Sequence, residues 1–443
     1  MHGLPQPSLA KVCTSGNVRP VPGGRWVRIL PVTFIMYTIA FVDRTNVSLA
    51  LPRMSRDLHM DSAQAGAASG IFFVGYVLLQ LPAGYLASRW SPKWLVGILL
   101  VAWGLCSTAS GLIHSWHEFL VVRFLLGVTE AGVWPAALVL ISRWFPCSER
   151  ARANAYWMLC LPAAAVFSSP ISGWILDRWN WRVLLVSEGL LPILWMLFWI
   201  ALIDDSPDDA IWLAAQEREY LRKANDYTNS EPVSHRSLLS LIFRPKILAL
   251  FLVSFLISTG NYGFLFWLPS VLQSLRPGTQ GFLTQFQIGF LNALPYITAA
   301  FGMVLISRRS DRRHERLLHV ASSLAWAGTF LLVSVFFVAR SPELAFALLC
   351  LATVGSFGML GPFWSIPTEL LPVEVAGTAI GLIQLSNIGG AIGPFLVGVL
   401  QRQTGSFKGA FVIMGLGWLA AALLCLLLKW LATQPVASSR TSG

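Results

Sequence analysis

"AFVDRTNVSLAL" (residues 40–51) lies inside the first long apolar run of the chain and sets Asp43 and Arg44 side by side among Phe, Val, Ala and Leu. Ionised side chains are costly in hydrocarbon, so within membrane spans they are rare and mark functional sites. Composition decides whether this run is such a span. Of 443 residues, 55% are hydrophobic and only 12% are charged, with a mean hydropathy of +0.63. A soluble chain carries roughly 25% charged residues. Here the charges are too few to solvate a surface, so most of the surface must face lipid. Only helices and closed barrels cross a bilayer, and the runs here reach the roughly 20 residues of a spanning helix. The fold class is therefore an all-α polytopic membrane protein.

Twelve runs qualify, at 26–51, 67–88, 93–113, 117–142, 153–177, 182–203, 246–272, 284–307, 317–339, 343–367, 375–400 and 409–430. Pro170 and Pro394 are expected to interrupt the fifth and the eleventh. Lys and Arg orient the bundle. With both termini cytoplasmic, 22 of the 32 basic residues fall in inner segments, among them Arg143, Arg150, Arg152 and the run from Arg308 to Arg316. Arg44 and Arg123 remain within spans. This bias sets the topology, and it accounts for the net charge of +11 without nucleic acid.

Residues 1–25 and 431–443 read as cytoplasmic tails, the first rich in Pro and Gly and lacking the apolar core of a signal peptide. Between a six-helix half at 26–203 and another at 246–430 lies a cytoplasmic linker, 204–245. Its "DDSPDDAIWLAAQEREYLRK" offers Ser206 as a cap, Pro207 at the first helical position and an apolar stripe through Ile211, Trp212, Ala215 and the Tyr220–Leu221 pair. A short amphipathic helix at the membrane interface is expected there. The six cysteines, Cys13, Cys106, Cys147, Cys160, Cys350 and Cys425, are scattered, so neither a disulfide framework nor a zinc site is indicated. No metal and no cofactor is implied. Trp26, Trp90, Trp116, Trp181 and Trp430 read as belt anchors at span ends.

The halves resemble each other weakly. "RWFPCSERARANA" and "SSPISGWIL" after span 4 have counterparts in "TELLPVEVAGTA" and "IGPFLVGVL" after span 10. Repeats of this kind belong to transporters that rock one half against the other. At this point the chain resembles the major facilitator superfamily, and within it the anion:cation symporters, the bacterial tartrate, sugar-acid and aromatic-acid permeases. The resemblance rests on "FVDRTNVSLALPRM", "GIFFVGYVLLQLPAGYLASRW", "VRFLLGVTEAGVWPAA", "SEGLLP", "NYGFLFWLPSVL", "SDRRHER" and "GLIQLSNIGGAIGPFLVG", and runs over nearly all of 26–430. It implies a twelve-helix fold in two halves, a multi-pass location in the inner membrane, and proton symport of a small organic anion by a monomer. Two departures stand out. Ser88 occupies the place after span 2 where the superfamily usually has an Asp that latches the halves. Mid-span 5, "WMLCLPAAA", lacks the polar amide that some sugar-acid carriers hold there.

Four ionisable groups lie well inside spans: Asp43, Arg44, Arg123 and Glu130. Arg123 and Glu130 are two helical turns apart on one face, about 10 Å along the axis. Asp43 lies about 26 Å up span 1 from Trp26, and Arg123 about 10 Å down span 4 from Trp116. In a span of about 35 Å these are the same level, so an Asp43–Arg123 pair is expected, with Glu130 near the midplane. Arg44 turns about 100° away from Asp43, lines up with Tyr37 and Ser48, and faces a central cavity. Arg offers a bidentate fork for a carboxylate. A proton-coupled carrier also needs a carboxyl that gains and loses a proton. Burial favours its neutral form and a nearby Arg opposes that. Proton coupling is accordingly assigned to Asp43 and Glu130, and anion binding to Arg44 and Arg123. The resemblance implies the same, since related carriers use the Asp and Arg of this motif and the Glu of span 4 for these tasks. Tyr76, Asn261, Tyr262, Ser365 and Asn387 are further substrate-site candidates at mid-depth, with Trp364 weaker. Asn261 and Tyr262 lie between Gly260 and Gly263, an expected bending point. The alternative for the charged set is a structural ion-pair cluster without contact to substrate.

A membrane-embedded enzyme lacks support, for the sequence has no metal cluster, nucleophile elbow or phosphate-binding loop, so catalytic residues are none. The nearer rival to proton symport is anion exchange or export, which has less need of Glu130.

Overall fold

The computed structural model describes residues 23–225, 245–274, 283–313, 315–370 and 373–433. Among the described residues twelve helices are long and apolar enough to cross a membrane: α1 (Gly24–Asp57), α2 (Ser62–Arg89), α3 (Pro92–Ser110), α4 (Trp116–Trp144), α5 (Arg152–Arg178), α6 (Trp181–Leu202), α7 (Pro245–Ser274), α8 (Gln285–Arg313), α9 (Arg316–Phe337), α10 (Pro342–Pro367), α11 (Ala379–Thr404) and α12 (Lys408–Leu431). The expected number of spans and the all-helical class are both found. Helix starts follow local capping chemistry. Asp61 and Gln64 form a capping box on α2, and Ser91–Pro92 and Ser341–Pro342 open α3 and α10. Outward-pointing Phe167, Leu197, Phe301, Phe336 and Leu423 are all exposed, as lipid-facing side chains are.

One packing rule is used twice. In the first six spans α1 lies on α5 and α6, α2 on α4, and α3 on α6. In the last six α7 lies on α11 and α12, α8 on α10, and α9 on α12. The two sets meet along α2–α11, α5–α8 and α1–α7. With an even number of spans, both ends of the described chain lie on one face. At the opposite face the sets interlock. Ser62 hydrogen-bonds Gln401, Arg402 pairs with Asp61 at 3.3 Å, and Asp177 accepts from the backbone N–H groups of Gln285 (2.9 Å) and Phe286 (2.8 Å).

Four spans are interrupted: α4 at Ala131–Gly132, α5 at Leu159, α10 at Met359, and α11 by a 3-10 turn at Leu385–Ile388. The expected breaks at Pro170 and Pro394 do not occur, for both lie inside continuous helix. Neighbouring helices in a membrane bundle satisfy the backbone around a proline, and Pro394 O accepts from Trp267 Nε1 at 2.9 Å. The break in α11 falls instead where side chains compete for local hydrogen bonds. Ser386 Oγ bonds Ser254 Oγ at 2.6 Å and Asn387 Nδ2 bonds Gln384 Oε1 at 2.9 Å. Gly260 and Gly263 do not break α7, which runs unbroken; they seat Trp418 and Met414 of α12.

The linker helix, Ala215–Asn225, starts later than Ser206 and Pro207 suggest. The acids before it are tied elsewhere. Asp205 accepts from Ser91 and from the Lys93 N–H at the start of α3, and Asp204 Oδ2 accepts from Trp212 Nε1 at 2.9 Å. The expected apolar stripe is partial, since Ile211 points away, 97% exposed, and Ala215 is exposed too, while Trp212 stacks on Trp144 at 5.3 Å and Leu221 is fully buried. Buried Glu217 pairs with buried Arg25 and docks the helix on the start of α1. The remainder of the linker, and nearly all of both expected tails, fall outside the described residues.

Candidate functional site: a central cavity around Arg44

A cavity lies among α1, α2, α4, α5, α7, α10 and α11. Its lining comes from the start of α5 (Met158, Leu161), the end of α10 (Phe357 to Trp364) and the start of α11 (Gln384, Asn387). The cavity therefore occupies the part of the bundle nearer the chain ends, and the interlocked face closes it on the other side.

Arg44 is its charged group. Through Nη2 it forms an ion pair with Glu130 Oε1, and through Nη1 it donates to the Tyr262 hydroxyl at 3.0 Å. Phe41, Phe72, Phe73, Tyr76 and Tyr262 surround the guanidinium at 5.0–6.0 Å from their ring centres. Such rings stabilise a cation through their quadrupoles. Glu130 ends the first segment of α4, just before the interruption at Ala131–Gly132. Its second oxygen, Oε2, is buried without a hydrogen-bond partner among the described residues. Glycines bring α4 this close. A Cβ on Gly127 would strike the carbonyl oxygen of Phe72, and one on Gly75 that of Phe124, so α2 and α4 touch backbone to backbone.

The expected Asp43–Arg123 pair does not form. Asp43 faces α3, where Ser107 Oγ donates to Oδ1 at 2.7 Å and Trp103 Nε1 donates to Oδ2. Arg123 is fully buried, its guanidinium over Phe72 at 4.9 Å and Phe266 at 5.9 Å, and its nitrogens have no hydrogen-bond partner among the described residues. Equal depth along two helices does not make two side chains meet, because rotation about each axis also counts, and donors on α3 reach Asp43 first.

Of the candidates read from the sequence, Arg44, Tyr76, Asn261, Tyr262 and Asn387 line the cavity, as does Trp364. Glu130 reaches it through Arg44. Asp43, Arg123 and Ser365 do not line it, and Ser365 Oγ instead bonds the Gly361 carbonyl at 3.1 Å. Tyr37 lines it as expected, whereas Ser48 is buried and bonds Thr45 O. Sequence reasoning missed Trp134, Ser258, Phe357, Phe363 and Gln384, whose residue types in apolar spans look like packing. It also missed Glu188, buried in α6, which accepts from Asn46 Nδ2 and from Ser172 Oγ at 3.4 Å. An acid in the apolar run of α6 was the available signal for it.

Residues 33–387 match the Major Facilitator Superfamily. The chain is similar to a putative tartrate transporter of Agrobacterium vitis, 32% identical over 90% of this chain and 89% of that one. It is 30% identical to a quinolone resistance transporter of Acinetobacter baumannii over 90% of this chain and 92% of that one. A probable galactarate/D-glucarate transporter of Bacillus subtilis is 27% identical over 95% and 94% of the two chains. A solved bacterial homologue of the human lysosomal transporter Spinster, inward-facing and occupied, shares the fold with a TM-score of 0.71 at 17% identity, over 93% of this chain and 98% of that one. A twelve-span helical bundle built twice on one packing rule, with a buried Arg–Glu pair at the wall of its central cavity, belongs to the Major Facilitator Superfamily.

Proposed function

We propose that the protein is a secondary active transporter of the inner membrane that takes up a small organic anion in symport with protons, by alternating access. The anion is a carboxylate such as a hydroxy acid, sugar acid or aromatic acid. The observation that carries this reading is the Arg44–Glu130 pair at the cavity wall. One guanidinium cannot neutralise both Glu130 and an arriving carboxylate in a low-dielectric wall. A proton on Glu130 removes its claim on Arg44, and Arg44 then turns its fork to the substrate. Anion and proton load together. When both leave, Glu130 pairs with Arg44 again, and the empty carrier returns without a bare charge. The relatives' names, tartrate and galactarate/glucarate transporters, favour a carboxylate cargo.

Asp43, next to Arg44 on α1 but tied to α3, serves as a second proton site that reports through α1. Arg123 adds a fixed positive charge behind the ring of Phe72. Both chain ends are cytoplasmic, so the cavity faces inward, and residues 26–203 and 246–430 are the two bodies that rock. The test is uptake by the purified protein in proteoliposomes, using a panel of labelled acids with and without an imposed pH gradient. Accumulation that depends on the gradient supports symport. Uptake that ignores the gradient and requires acid on the far side would make the protein an exchanger.

A further inference from the structure

Within the organic-anion reading, on which this rests, we propose that the cavity takes an aromatic monocarboxylate whose ring carries one hydrogen-bond donor. Charge sets the number of carboxylates. Arg44 is the one Lys, Arg or His among the described lining residues. The second buried cation, Arg123, sits behind the rings of Phe72 and Phe266. A second carboxylate would enter the cavity without a counter-charge.

The walls set the body of the ligand. Tyr37 and Trp134 meet edge to face at 4.9 Å on the α1–α4 side, and Phe363 and Trp364 meet in the same way at 5.2 Å on α10. A flat ring gains both buried area and favourable ring geometry between such walls. A polyol has the opposite requirement, because each hydroxyl taken from water needs a partner. Most polar lining groups are already engaged. Gln384 Oε1 accepts from Gln80 at 3.3 Å and from Asn387 at 2.9 Å, Ser254 bonds Ser386, and the Tyr262 hydroxyl accepts from Arg44. Of the buried lining atoms without a partner among the described residues, one is an acceptor. Asn261 Nδ2 donates to Ser356 O at 3.4 Å, which orients the amide, and leaves Oδ1 buried without a partner among the described residues. Asn261 precedes Arg44's partner Tyr262 by one position on α7, so a donor on the ring has an acceptor close to the carboxylate anchor.

The test is calorimetric titration of the purified full chain with benzoate, 3- and 4-hydroxybenzoate, L-tartrate and D-glucarate. The better hydroxybenzoate is expected to bind about tenfold tighter than benzoate, and all three benzoates tighter than the two polyhydroxy diacids. Asn261→Ala should make the three benzoates bind alike, and a thermal melt at the parent temperature reports that the variant is folded. Asn261→Leu holds the side-chain volume and makes the same comparison if the Ala protein does not fold. Tighter binding of tartrate or glucarate would overturn the aromatic assignment while leaving anion transport standing. A hydroxyl preference retained in both Asn261 variants would overturn the acceptor role. An acid that binds the purified protein but is not taken up by proteoliposomes under a pH gradient would overturn the symport reading while leaving the ligand assignment standing.

Discussion

Arg44 of α1 and Glu130 of α4 form a buried ion pair in which one carboxylate oxygen is bound and the other, Oε2, has no partner among the described residues. The pair joins the cavity wall to the point where α4 breaks. Its two members are therefore expected to fail in different ways.

Glu130→Gln keeps the shape and a hydrogen bond to Arg44 but carries no proton through the cycle. Accumulation driven by a pH gradient should fall at least a hundredfold, while counterflow exchange of the same acid persists. Gradient-driven uptake at the parent rate would show that the proton travels elsewhere.

Arg44→Ala removes the anion's anchor and also strands Glu130. Breaking a buried pair by removing one partner costs about 3–5 kcal/mol, so the variant should melt well below the parent. Arg44→Ala/Glu130→Ala should regain part of that loss, yet bind no acid. Arg44→Lys should keep weak binding, because an ammonium lacks the planar fork. Thermal melts and acid titrations on the four proteins decide this, and a double variant as unstable as the single one would argue against the pairing.

The interlocked face must open if the cycle alternates. A reducible bis-thiol reagent joining Ser62→Cys to Gln401→Cys, residues that hydrogen-bond across the two sets of six spans, should stop uptake. Reduction should restore it. Full uptake by the fully cross-linked protein would refute the opening of that face.

Orientation has its own test. Ile211, between α6 and the linker helix, is 97% exposed. In a background without native cysteines, Ile211→Cys should react with an impermeant thiol reagent only in opened or inverted membranes. Labelling in intact cells would invert the topology.

The sequence by itself determined the number and type of the spans, because the length of an apolar run and the scarcity of charge are properties of the chain alone. It also pointed to Asp43, Arg44, Arg123 and Glu130, since an ionisable group in hydrocarbon is conspicuous whatever its partner. Only the tertiary structure decided the partners. Depth along a helix follows from counting residues, but rotation does not. Trp103 and Ser107 claim Asp43, while Glu130 pairs with Arg44. The helix breaks were displaced from the prolines for a related reason. Neighbours satisfy a proline's backbone, whereas the turn at Leu385–Ile388 includes a bond from Ser386 to Ser254 on another helix. The aromatic walls were the least legible part, because Trp134, Phe357 and Phe363 in a sequence are apolar bulk, and become a cavity lining only when seven helices leave a space between them.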